Sequence, residues 1–92
     1  MKKNILRKLV SKLDLVELTK TLVSNLVSDP ESIQINLIED DKVKIIQVLV
    51  KEEDVSLVIG RRGSIANAIR TLVQASAYIN KLGPVRVNID SL

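Results

Sequence analysis

Residues 58–70 read Val58-Ile59-Gly60-Arg61-Arg62-Gly63-Ser64-Ile65-Ala66-Asn67-Ala68-Ile69-Arg70. Two glycines bracket two arginines, and apolar residues recur at helical spacing on either side. On the N-terminal side, Val55, Leu57, Val58 and Ile59 form a short helical run with Asp54 in place to cap it. Gly60 ends that run. On the C-terminal side, Ile65, Ile69, Leu72 and Ile79 form a stripe with Ala66, Val73 and Ala77 beside it. This spacing predicts a long helix from about Ser64 to Leu82, closed by Gly83 and Pro84. The four residues from Gly60 to Gly63 are therefore expected to form a tight connection between two helices.

Working outward, strands flank this helical pair. Val85, Val87 and Ile89 alternate with Arg86 and Asn88, and Ile33, Ile35 and Leu37 alternate with Gln34 and Asn36, as in half-buried strands. Between them, about Lys42 to Val50 forms another strand, with Glu39-Asp40-Asp41-Lys42 as the turn before it. Its apolar phase slips by one residue between Ile45 and Ile46, which predicts a bulge or burial on both faces. Leu15, Leu18, Leu22 and Leu26, with Val16, Val23 and Val27, predict an earlier helix. Asp14 and Glu17 are spaced as a near capping box, and Ser28-Asp29-Pro30 stops the helix. The expected order is α-β-β-α-α-β, an α+β fold with helices on one face of a three-stranded sheet.

The bulk composition excludes several classes. The 92 residues suit one domain, expected over 14–92 with a basic extension over 1–13. There is no cysteine and no histidine, which removes disulfides, thiolate metal sites and the commonest general base. No metal or cofactor is expected. No apolar run reaches the roughly 18 residues of a membrane span. The start does not read as a signal peptide, because Arg7, Lys8 and Lys12 interrupt any apolar core. A cytoplasmic protein is expected, with no membrane partner. The net charge of +3 is unevenly spread. Residues 1–13 hold Lys2, Lys3, Arg7, Lys8 and Lys12 and no acid, whereas residues 14–92 hold nine basic and eleven acidic residues. Any nucleic-acid site in the domain must therefore be a local patch.

The glycine loop provides such a patch. Gly-x-x-Gly alone is a weak signal, met by chance roughly 0.4 times in a chain of this length at average glycine usage. Its place between two helices and its paired arginines give it weight. Two glycines permit a tight turn and a close approach to a ligand. The loop opens onto the N-terminus of the long helix, where free N–H groups and the helix dipole favour an anion. Arg61 and Arg62 add planar donors that match phosphate oxygens. Val58, Ile59, Ile65 and Ala66 are expected to supply apolar surface for unpaired bases. The bland alternative is a helix–helix turn with two solvated arginines. Arg70, about two turns further on, is placed to reach phosphate or to make a surface salt bridge. Lys42, Lys44 and Arg86 read mainly as solvated strand positions.

On these residues the chain resembles the KH domain, whose GXXG loop clamps about four nucleotides of single-stranded backbone. The element order is that of the type II, bacterial arrangement. Length and spacing over residues 15–90 are similar to the small single-domain bacterial proteins of the KhpA family. The resemblance implies RNA binding by Ile59, Gly60, Arg61, Arg62, Gly63, Ser64, Ile65 and Arg70. It also implies pairing as a homodimer, or as a heterodimer with a larger KH protein of the KhpB (Jag) type. The implied role is post-transcriptional regulation or RNA chaperoning. Where that family often carries Lys and Gln in the loop, this chain has Arg61 and Arg62. The segment 1–13 departs from the family, which usually begins near Leu15. It reads as an extra packed helix, a basic arm attracting phosphate, or a helix lying on an anionic surface.

Two other classes compete. An enzyme is disfavoured, because neither Gly-x-x-x-x-Gly-Lys-[Ser/Thr] nor Gly-x-Gly-x-x-Gly is present. Helix capping and dipole complementation account for Glu52, Glu53 and Asp54 without catalysis. A protein-interaction module is the stronger rival, with the long helix as one half of a dimer and little RNA affinity of its own. Tyr78 is the sole aromatic residue, so stacking platforms of several aromatics are unavailable, and single-stranded DNA stays open beside RNA.

Overall fold

β2 (Lys44–Val50) is the middle strand of the sheet, with Ile46, Val48 and Val50 buried and Ile45, Gln47 and Leu49 between them half-buried. The computed structural model describes residues 12–92. Around β2 stand α1 (Lys12–Ser24), β1 (Gln34–Glu39), α2 (Glu52–Ile59), α3 (Ser64–Ile79) and β3 (Val85–Ser91). Short 3-10 turns lie at Pro30–Ser32 and Arg61–Gly63. The order is the expected α-β-β-α-α-β. β1 pairs antiparallel to β2, Gln34 opposite Leu49, and β3 pairs parallel to β2, Val48 opposite Ile89. The parallel pairing needs a crossover, which α2, the loop and α3 provide.

The core lies between one face of the sheet and the helices. Ile46, Val48, Val50, Val85 and Val87 meet Leu15 and Val23 of α1, Val58 of α2, and Ile69, Val73 and Ala77 of α3. The opposite sheet face carries no helix among the described residues. Gln34, Asn36 and Ile38, then Ile45, Gln47 and Leu49, then Arg86, Asn88 and Asp90 share it by register and alternation. The register is unbroken on both sides of β2, so the expected bulge is absent. The apolar slip arises because Ile45 belongs to the open face and Ile46 to the core.

The helix ends differ from the sequence reading in three places. α1 is already helical at Lys12, so Asp14 and Glu17 lie within it, exposed, and form no capping box. It ends at Ser24, earlier than expected, where Ser24 Oγ and Asn25 Nδ2 donate to the carbonyls of Lys20 and Thr21. α3 ends at Ile79 instead of near Leu82. Lys81 takes the left-handed conformation, φ 57°, and Leu82 N–H donates to Ala77 O at 2.9 Å while Lys81 N–H donates to Tyr78 O at 3.2 Å. That is a Schellman closure with lysine where glycine is usual. Packing of Leu82 against the core holds it there. The Lys44 ammonium donates to Leu82 O, a cation at the helix's negative end.

Asp54 is not the cap of α2, which begins at Glu52 after Lys51. Its side chain is buried, and its carboxylate accepts from Ser28 N–H (3.1 Å) and Ser28 Oγ (2.8 and 3.0 Å). The contact ties the chain leaving α1 to the first turn of α2, where the helix dipole favours the negative charge. Asp29 and Lys51 form a neighbouring exposed ion pair at 2.7 Å. The hydrogen bond from Lys51 holds the Asp29 carboxyl below its ordinary value of 3.8. Backbone N–H groups of Lys42 and Val43 do the same for Asp40.

Two outcomes follow from these contacts. Asp54→Ala should lower stability to urea by about 3 kcal/mol and Ser28→Ala by about 1 kcal/mol, because the first removes a buried carboxylate with three hydrogen bonds and the second leaves the Ser28 N–H still bonded to it. Asp29 and Asp40 have folded pKa values below their unfolded ones, so their stabilisation is present above the unfolded value and lost as pH falls through the folded one. Thermal melting should therefore weaken below about pH 4, and Lys51→Met should reduce that acid loss.

Candidate nucleic-acid interface

Gly60 ends α2 with φ 75° and ψ 176°, a conformation essentially restricted to glycine. A Cβ at Gly60 would stand 2.6 Å from Ile65 Cγ1 and 2.9 Å from Ile65 N, so the loop crosses directly over the first turn of α3. Gly63 is also left-handed, φ 75° and ψ 14°, and serves as the N-cap of α3. Gly63 N–H donates to Gly60 O at 3.2 Å and Ser64 N–H donates to Arg61 O. Arg62 between them is left-handed as well, φ 54° and ψ 27°. A non-glycine residue pays about 1 kcal/mol or more for that conformation. The loop is thus a single strained turn, with Arg61, Arg62 and Ser64 exposed at the start of α3.

A cleft of about 510 Å³ continues from this loop. Glu52, Val55, Ser56, Ile59 and Gly60 line one wall, and Asp90 and Ser91 at the end of β3 line the other. Val55 and Ile59 give it an apolar floor, and both are half-buried. From Glu52 to Gly60 the helix spans about 12 Å.

β3 is an edge strand, and its hydrogen-bond parity decides what that edge offers. Lys44 N–H donates to Pro84 O and Leu92 N–H to Val50 O, so the even-numbered residues of β3 face β2. Val85, Val87, Ile89 and Ser91 therefore turn their N–H and C=O groups outward. α3 covers the first half of this edge. Gln74 Nε2 donates to Val85 O at 3.4 Å, and Arg70 Nε donates to Val87 O at 3.0 Å. Ser91 N–H is met by its neighbour's Asp90 Oδ1 at 2.8 Å. The peptide groups of Ile89 lie between these, on the stretch of edge beside the cleft.

The structure brings some expected residues together and assigns others elsewhere. Ile59, Gly60, Arg61, Arg62, Gly63 and Ser64 form one continuous surface at the loop. Ile65 is half-buried beneath Gly60 and packs against the core, so it supports the loop from below. Val58 and Ala66 are 0% and 1% exposed and supply no base-facing surface, because their positions on the helices turn them to the core. Arg70, expected to reach phosphate or to make a surface salt bridge, is half-buried between Val87 O and Asn67 Oδ1, a clamp on the strand edge. Lys44 and Arg86 lie at the start of the β2–β3 ladder, the opposite end from Ser91 and the cleft. Glu52, Val55, Ser56, Asp90 and Ser91 were not singled out from sequence as wall residues. Their only signal was position in an element next to the loop.

Residues 15–90 match the family model described as KhpA/KhpB, KH domain. The chain belongs to the KhpA/KhpB KH-domain family. Among its relatives is the RNA-binding protein KhpA of Caldanaerobacter subterraneus, 45% identical over 65 residues, 71% of this chain and 87% of the relative. The RNA-binding protein KhpA of Borreliella burgdorferi is 44% identical over 62 residues, 67% and 76% of the two chains. That of Lactiplantibacillus plantarum is 36% identical over 76 residues, 83% and 86%. This is a family of RNA-binding KH proteins, not of enzymes. The fold also matches Era of Aquifex aeolicus bound to GDP and aluminium fluoride, with TM-score 0.65 and 18% identity over 89% of this chain. A structure of Era with 16S ribosomal RNA gives TM-score 0.58 and 17% identity over 84% of this chain. This KH domain spans 32% and 29% of those two chains, and the likeness concerns the fold alone. No helix among the described residues is long and apolar enough to cross a membrane.

Gly60→Ala should destabilise the domain by about 3 kcal/mol in chemical denaturation, through backbone strain and the collision with Ile65. Gly63→Ala should cost less, about 1 kcal/mol, because only its conformation is penalised while its Cβ would meet nothing closer than Asn67 Nδ2 at 3.7 Å.

Proposed function

We propose that this KH domain binds single-stranded RNA, with the sugar-phosphate backbone on the Gly60–Gly63 loop and the bases in the cleft beside it. The observation that carries the reading is the strained turn that presents Arg61 and Arg62 at the N-terminus of α3. Charge-assisted donors and the helix dipole there favour phosphate oxygens. The outward peptide groups of Ile89 add one donor and one acceptor at the height of a base, as an edge strand can. The names of the relatives, RNA-binding protein KhpA, agree with this use of the site.

A second copy of the chain, or a KH protein of the KhpB (Jag) type, is the proposed partner. α3 supports this reading. Ala68, Leu72, Ala75 and Ile79 recur at spacings of four, three and four and are exposed, Leu72 at 52% and Ile79 at 53%. Such an apolar seam with small residues suits close packing against another helix. Two paired loops on one RNA would raise affinity by avidity. The cellular role in this reading is cytoplasmic post-transcriptional regulation or RNA chaperoning. The basic extension 1–13 would add sequence-independent attraction to phosphate.

The double variant Arg61→Asp, Arg62→Asp should lose at least about 100-fold in affinity for a short unstructured RNA, by fluorescence anisotropy, with unchanged circular dichroism. Unchanged affinity in a folded variant would remove the loop from the site. Leu72→Asp should shift sedimentation of the chain toward the monomer, and a wild type already monomeric at micromolar concentration would exclude the homodimer.

A further inference from the structure

The cleft next to the loop has an unusual balance of charge for a nucleic-acid site. No cation lines it, and Arg61 and Arg62 stand just beyond its Gly60 end. Its two charged wall residues are both acids, Glu52 on α2 and Asp90 on β3. They stand at the same end of the cleft, because Val50 pairs with Ser91 and α2 begins two residues after Val50. Ser56 and Ser91 are the other polar wall residues, and their hydroxyls both donate and accept.

Asp90 is held at this position. Its Oδ1 accepts the outward N–H of Ser91 at 2.8 Å, so the carboxylate curls round the free edge of the strand. That bond replaces a donor on the edge with a negatively charged acceptor. A carboxylate has about four acceptor sites, so it can accept further bonds. The far half of the cleft therefore offers mainly acceptors to whatever enters it.

Base edges differ in what they can give such a wall. Cytosine and adenine each carry an exocyclic amino group, and guanine carries an amino group beside a ring N–H. Uracil presents carbonyl oxygens on both sides of a single N–H. A carboxylate bonds an amino group and repels a carbonyl, and acidic side chains accepting from the cytosine amino group are a recognised pairing.

Resting on the proposed RNA site, we infer that Glu52 and Asp90 are specificity-determining residues that favour bases bearing an amino group and reject uracil. The loop holds the backbone irrespective of sequence, and the acidic end of the cleft reads the base. The carboxylates also repel phosphate, so they lower affinity for any RNA that cannot supply an amino group in return.

The test is anisotropy of the full chain with labelled octacytidylate and octauridylate, whose bases differ in an amino or carbonyl group at C4 and in an accepting or donating N3. Wild type should bind octacytidylate about tenfold more tightly than octauridylate. The Glu52→Gln, Asp90→Asn variant should bring that ratio below about twofold, mainly because octauridylate binds more tightly once two negative charges are gone. A tightening of that kind is not expected from damage to the fold, and the exposed single variant Glu52→Gln should move part of the way. Equal affinities in wild type, or a ratio that persists in the double variant, would overturn the inference while leaving the loop as the RNA site. If wild type binds neither octamer, or the Arg61→Asp, Arg62→Asp chain binds both as wild type does, the RNA site itself is wrong and the inference falls with it.

Discussion

The whole site depends on a contact that leaves no room for a side chain. Gly60 passes so close to Ile65 that a Cβ would be 2.6 Å from its Cγ1. Ile65 in turn packs against the core beneath α2 and α3. This fixes where α2 must stop and where α3 must begin. Arg61 and Arg62 are left with no choice but to project outward at the start of a helix. The left-handed backbone of Arg62 is strain held by this closure. Strain of this kind persists only where the surroundings over-determine it, and such places tend to be functional.

The edge of β3 shows a second constraint. An exposed strand edge is a liability, and side chains here deal with part of it. Gln74 and Arg70 reach down from α3 to the carbonyls of Val85 and Val87, and Asp90 caps the N–H of Ser91. Among the described residues, both outward peptide groups of Ile89, next to the cleft, stay open. Arg70 thus belongs to the construction of the site, although its charge and its distance from the loop suggest a phosphate ligand. A long cationic side chain on a helix has two outlets, and here the unpaired carbonyl of an edge strand takes it.

Charge is divided in the same economical way. The domain carries more acid than base over residues 14–92, yet its two loop arginines stand together at a helix N-terminus. Other cations are used for structure. Lys44 caps the end of α3, Lys51 pairs with Asp29, and Arg70 holds the strand edge. A local anion site needs no basic surface when backbone dipoles and two guanidinium groups converge on one turn.

Fold class, element order and the loop were already legible in the residues. Hydrophobic periodicity changes from two to about 3.6 residues at each boundary, and the glycines mark the turn. Those signals are local, which is why the unfolded chain already carries them. Details that depend on neighbours were decided by tertiary structure. Packing of Leu82 against the core stops α3 with a lysine at the left-handed position, ahead of Gly83. Asp54 has the sequence of a cap and the location of a buried partner for Ser28, 26 residues away. The phase slip in β2 marks one strand with a core face and an open face, which only the partner strands reveal. The cleft was hidden for the same reason. Its walls come from α2 and the far end of β3, and parallel pairing of β3 with β2 is what sets Asp90 and Ser91 opposite Glu52 and Ile59.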